Sequence, residues 1–136
     1  MKTATTVAQM LVRLTGLIQI VLGVLFWTDN ARSLVPVHML VGLVLVLALW
    51  TLAGLAARAG VNPGLVALAI VWGLVVPVLG VTQTSLLPGA AHWTIQVLHL
   101  LLGLGAIGLA ESLAARIKGR LPLGGRAQRT QLAEES

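Results

Sequence analysis

The chain has 136 residues, 57% of them hydrophobic and 10% charged, with a formal net charge of +5 and a mean hydropathy of +0.96. That leaves too few polar side chains to coat a soluble domain of this size, and the absence of cysteine excludes disulfides, thiolate metal sites, covalent c-type haem and a catalytic thiol. The positive charge does not form a basic face suited to nucleic acid; it sits at the edges of apolar stretches and in the tail, where it reads as topology and lipid contact.

Crossing the hydrocarbon core of a bilayer takes ~20 apolar residues in a helix. Four stretches meet that requirement, at residues 7–27, 34–57, 63–81 and 92–115. The first is a poor signal peptide: Arg13 interrupts its start, and bulky residues through Phe26-Trp27 stand where a cleavage site needs small ones. Asp29 to Ser33 then lead to Pro36, with Ser33 as the expected N-cap of the second helix. The third opens with Asn62-Pro63, a cap followed by proline in the first turn, and Pro88-Gly89 precedes the fourth. Pro77 should kink the third helix by removing a backbone hydrogen bond. The predicted fold is an all-α membrane protein: a four-transmembrane-helix up-and-down bundle at 1–118, with a polar, disordered cytoplasmic tail at 119–136.

Lysine and arginine set the orientation. With both termini inside, Lys2, Arg13, Arg58, Arg116, Lys118, Arg120, Arg126 and Arg129 fall on the cytoplasmic side, and Arg32 alone lies outside. The expected location is the bacterial inner (plasma) membrane. Trp27 and Trp93 then mark the outer interface and Trp50 the inner one, while Trp72 falls mid-span. An internal repeat is visible as well. Gly16 and Gly23 with Val24 echo Gly73 and Gly80 with Val81, and His38 with Gly42 echoes His99 with Gly103. Two spans per half make these parallel repeats, related by an axis along the membrane normal.

Polar side chains inside a membrane are costly and usually face the bundle interior. His38 lies about one turn into helix 2 and His99 about two turns into helix 4, and these helices run in the same direction. The offset is therefore ~5 Å at about 1.5 Å per residue, small enough for the two imidazoles to converge in the outer half of the bundle. Helices 2 and 4 are diagonal in a square bundle, so the rings face across the core. Each histidine has a glycine four residues on, on the same helix face. Gly16/Gly23 and Gly73/Gly80 form glycine faces on the other diagonal, which can serve close helix packing or leave room for a flat macrocycle. Gln19, Thr82, Gln83 and Thr94 are placed to line the same pocket. Arg13 and Glu111 are the deepest charges, on neighbouring first and last helices, and should pair.

At these residues the pattern resembles the membrane cytochrome b type, in which histidines on two parallel, diagonal helices clamp haem iron and glycines on the other two admit the porphyrin edge. The resemblance covers the four spans and implies haem b as cofactor, with His38 and His99 as iron ligands and Gly16, Gly23, Gly42, Gly73, Gly80 and Gly103 around the ring. One core histidine per ligand helix and a closer glycine spacing depart from the two-haem pattern, so one haem is implied. His92 shares a helix stripe with Gln96, His99 and Gly103. It is an alternative axial ligand, a propionate partner, the third member of a three-histidine metal site, or half of an interfacial pair with Trp93. The expected function is electron transfer between redox partners, a quinone or a larger complex among them, without catalysis. Two alternatives stand beside it: a non-catalytic accessory or scaffold module whose histidines hydrogen-bond between helices, and a metal-handling or transport protein. Homo-oligomerisation or membership of a larger complex is compatible with each.

Overall fold

The computed structural model describes residues 1–121. Four helices account for nearly all of them: α1 Lys2–Trp27, α2 Val35–Arg58, α3 Pro63–Thr82 and α4 His92–Arg120, with short 3-10 turns at Arg32–Leu34 and Gln83–Ser85. Each of the four is long and apolar enough to cross a membrane. The bundle's outer face is correspondingly apolar: Leu14, Leu17, Leu40, Leu43, Leu101 and Leu104 are exposed. Such a surface is stable against lipid and unstable against water.

The helix ends follow local chemistry, with one departure. Asn62 caps α3 as its sequence suggests, its side-chain oxygen accepting the Gly64 N–H at 2.8 Å. Ser33 does not cap α2: it lies inside the 3-10 turn, and α2 opens from Leu34 without a side-chain cap. The cause is the left-handed backbone of Ala31 (φ 59°), which starts a turn in which the Leu34 N–H bonds back to the Ala31 carbonyl at 2.8 Å. The chain then winds straight into the helix, and the serine hydroxyl is not needed. α1 begins five residues before the expected span (Lys2 against 7), and α4 continues five beyond it (Arg120 against 115). Gly119 and Arg120 thus belong to the last helix, and an Arg120 guanidinium N–H donates to the Gly60 carbonyl in the α2–α3 turn. The remainder of the expected tail, 122–136, lies outside the described residues.

Each helix packs against its two ring neighbours, and α2 and α4 also meet across the short diagonal. α1 and α4 are joined by an ion pair: Arg13 Nε and Nη2 donate to the two oxygens of Glu111 at 2.7 and 2.8 Å. The packed core fills only one half of the bundle, the half holding the two described ends of the chain. There Leu49, Leu52, Leu113 and Ile117 are fully buried among Ala53, Ala56, Ala69, Ala110 and Ala114. Two tryptophans stitch the middle. Trp72 fits against Gly105 and donates its indole N–H to the Leu102 carbonyl at 2.8 Å. Trp50 fits against Gly73 and donates to Ile70 at 3.2 Å. In hydrocarbon these donors have no water to turn to, so a helix carbonyl takes them.

Leu52 contacts this core with no exposed surface. Leu52→Ala should therefore destabilise the folded bundle by about 2–5 kcal/mol, read as a lower midpoint in denaturing-detergent unfolding of the purified protein, whereas exposed Leu40→Ala should leave the midpoint unchanged.

Candidate functional site

Where the core ends, a cavity of about 560 Å³ begins. Large buried apolar side chains are scarce in this half of the bundle, Leu22 being the one on α1, and glycines take their place. All four helices contribute to the wall: Gly16, Gln19, Gly23 and Phe26 from α1, His38 and Gly42 from α2, Gly80 from α3, and Gln96, His99 and Gly103 from α4. The floor is apolar, made by Leu45, Val76 and Ile107, and Trp27, Arg32, Gln83 and His92 lie along the open end. Its volume falls within the roughly 300–1,000 Å³ usual for cofactor and small-molecule sites.

His38 and His99 face one another in this space, their ring centroids 6.4 Å apart and their planes inclined by 50°. The offset expected from sequence does not separate them. Phe26 meets the His38 ring edge-on at 5.3 Å. The His99 ring lies on Gly80, where an added Cβ would stand 3.1 Å from its Cε1. Neither imidazole hydrogen-bonds to a described residue, and Nδ1 of each is buried without a partner. The third buried side-chain atom in that condition among the described residues is Gln19 Oε1, and Gln19 lines the same cavity. The helix-to-helix hydrogen bonds expected of purely structural histidines are therefore not formed.

The glycines divide by what occupies their notches. Gly23 and Gly103 face open space. Gly42 is met by the Gln19 amide, 2.6 Å from the position a Cβ would take, and Gly16 by Ile107 at 2.7 Å. Gly73 is not part of the wall, because the Trp50 indole fills its notch. Gly16 thus accommodates a side chain of α4 and Gly73 one of α2, the relation expected if α1–α2 and α3–α4 are turned about a common axis. Thr82 bonds to the Val78 carbonyl and Thr94 to Ala91, and neither lines the cavity. Phe26 is the wall residue that sequence reasoning passed over. Its signal is its spacing, since Gly16, Gln19, Gly23 and Phe26 form one helical stripe.

His92 stands at the first turn of α4 with Nδ1 3.2 Å from the Leu86 carbonyl oxygen. No group of three His, Cys, Asp or Glu side chains able to hold a metal ion occurs among the described residues. The three-histidine site is therefore not assembled: the Leu86 carbonyl holds His92 at the loop, away from the facing pair. For that pair the separation of the ring centres suits a metal held between two imidazoles. A metal bound at about 2 Å by two opposed nitrogens separates the ring centres by roughly 6 Å, close to what is found. His38 and His99 would hold a flat macrocycle here, and the open notches at Gly23 and Gly103 would leave room for it.

An added methyl at Gly23 or Gly103 enters empty space, so without a bound macrocycle Gly23→Ala and Gly103→Ala should unfold at an unchanged or slightly higher midpoint, alanine being the better helix former by up to about 1 kcal/mol. At Gly105 the same methyl meets the Trp72 ring at 2.8 Å. Gly105→Ala should lose about 1–3 kcal/mol in the same unfolding assay. No protein-family model, curated protein or solved structure matches the chain.

Proposed function

We propose that the chain is a small b-type membrane cytochrome that carries single electrons through one haem held between His38 of α2 and His99 of α4. The observation that carries this reading is the facing pair itself: two imidazoles 6.4 Å apart across a cavity, with buried nitrogens that no protein group satisfies. An unpaired polar atom in a membrane interior costs several kcal/mol, so the two rings are held facing one another at a cost that helix packing alone does not explain.

The chain's own residues do four things in this scheme. His38 and His99 supply neutral nitrogen ligands on two parallel helices whose spacing the Leu–Ala core fixes. Phe26 and Gly80 set the ring orientations, the first by an edge contact and the second by leaving a flat surface. Leu45, Val76 and Ile107 exclude water from the floor. Arg32, whose Nε already donates to Asp29, and His92 stand at the open end, where acidic groups on an occupant would meet His92 and the remaining Arg32 N–H groups. When bound, haem supplies reversible one-electron chemistry at a potential set by its two ligands and its burial. The bias of basic residues supports an orientation in a bacterial inner membrane with both termini cytoplasmic, which turns the open end of the cavity outward. The electron partner is then a membrane quinone or a protein at that face.

The visible spectrum tests this directly. Protein purified from cells supplied with haem, then reduced, should show a sharp α-band that is absent from His38→Ala and from His99→Ala and retained in His92→Ala. Colourless wild-type protein that also fails to shift the Soret band of added haem removes the proposal.

A further inference from the structure

At the opposite end of the bundle the α1–α4 seam carries a second polar cluster. Lys118 Nζ donates to Gln9 Oε1 at 2.6 Å, and Gln9 Nε2 donates to Glu111 Oε2 at 2.6 Å. Arg13 closes the chain by its two bonds to Glu111. Gln9 is 7% exposed and spends both ends of its amide inside the cluster. The cluster is unbalanced: it holds two cations and one carboxylate, and Glu111 is the one acidic side chain at this end among the described residues. Its unspent hydrogen-bonding capacity is mostly donor capacity, on the remaining guanidinium N–H groups of Arg13 and on the Lys118 ammonium. It is also open sideways, since the Arg13 and Glu111 side chains are 51% and 34% exposed on the flank of the bundle.

Depth decides what can complete it. Arg120 bonds to the carbonyl of Gly60 in the α2–α3 turn, so the last turn of α4 and that turn lie at the same level. Glu111 precedes Arg120 by nine residues, ~14 Å at about 1.5 Å per residue, and Lys118 lies within one turn of it. The cluster therefore descends from the level of the lipid headgroups toward the hydrocarbon, with a surplus positive charge that hydrocarbon does not screen. Beyond the described residues, an anion suited to that depth is a lipid phosphate drawn down to meet snorkelling basic side chains.

We propose that this seam binds an anionic phospholipid, its phosphate held by Arg13 and Lys118 while its chains lie along α1 and α4. The inference takes the helices as membrane-spanning and is independent of the haem. Zwitterionic lipids offer the same phosphate but bring their own cation, so a net negative headgroup is the favoured partner.

Thermal unfolding of the full chain in mixed micelles tests it, with phosphatidylglycerol, phosphatidylcholine of the same chains, or inorganic phosphate as additive. Phosphatidylglycerol should raise the wild-type midpoint and the other two should not. Lys118→Gln should weaken the phosphatidylglycerol effect about five-fold, the size expected for one basic side chain at an anionic surface, and Lys118→Arg should keep it. Arg58→Gln, which removes the same charge from another helix at this end, should leave it intact. The proposal fails if Arg58→Gln and Lys118→Gln lose the effect equally, since diffuse surface charge then accounts for it, or if phosphatidylcholine or inorganic phosphate does as well. It also fails if cross-linking shows the seam covered by a second copy of the chain in the absence of lipid.

Discussion

In a bilayer every polar group must find its partner within the chain or in something the chain holds, because no water competes for it. The described residues meet that demand almost everywhere. Thr5, Thr15, Thr51 and Thr82 turn their hydroxyls back to carbonyls four residues earlier, as hydroxyl residues do within helices. The indoles of Trp50 and Trp72 reach carbonyls on neighbouring helices, and Arg13 and Glu111 neutralise one another. Against that background the three exceptions are informative. Gln19 Oε1 and the Nδ1 atoms of His38 and His99 are buried, and the three residues that carry them all line one cavity.

The cavity exists because side-chain size changes along the bundle. In the half with the chain's described ends, leucines interlock with alanines, and Ala53, Ala56, Ala110 and Ala114 have no exposed surface. In the other half the inward positions are taken by glycine, glutamine and histidine, which cannot fill the same cross-section. The closed half holds α2 and α4 at a fixed separation, and that separation carries the two imidazoles to a distance a metal can bridge. Packing in one half thus determines geometry in the other. Leu52 and its neighbours act on the site without touching it.

Much of this was legible in the sequence, for identifiable reasons. Four spans follow from hydropathy alone, because the cost of placing backbone and charge in hydrocarbon dominates every other term. The convergence of His38 and His99 follows from two helices running the same way with equivalent starts. The Arg13–Glu111 pair follows from adjacency of the first and last helices. What could not be read was which bulky side chain fills which glycine notch. Trp50 takes Gly73 and Ile107 takes Gly16, choices made by rotation of whole helices about their axes, which a leucine-rich pattern with hydrophobic residues on all sides does not specify. Ser33 looked like a cap by residue type, yet the left-handed Ala31 before it changed how the chain enters α2. Gln9 carries no signal in the sequence, and its bonds to Glu111 and Lys118 depend on α1 and α4 lying side by side.

A single site in one half of the bundle also limits what the proposed cytochrome can do. Electron carriers that cross a membrane need redox groups near both faces. Here the second half is closed by aliphatic packing, with no further pair of facing histidines among the described residues. One haem at His38 and His99 would exchange electrons with partners on its own side, through the open end bounded by Trp27, Arg32 and His92. That assigns the two halves different work. The packed half anchors the bundle, and Arg13 and Lys118 would fix its height against the proposed lipid. The hollow half would present the proposed haem at the level where a quinone head or a protein surface could approach it. The glycines that weaken helix packing there are tolerated because the packed half supplies the stability.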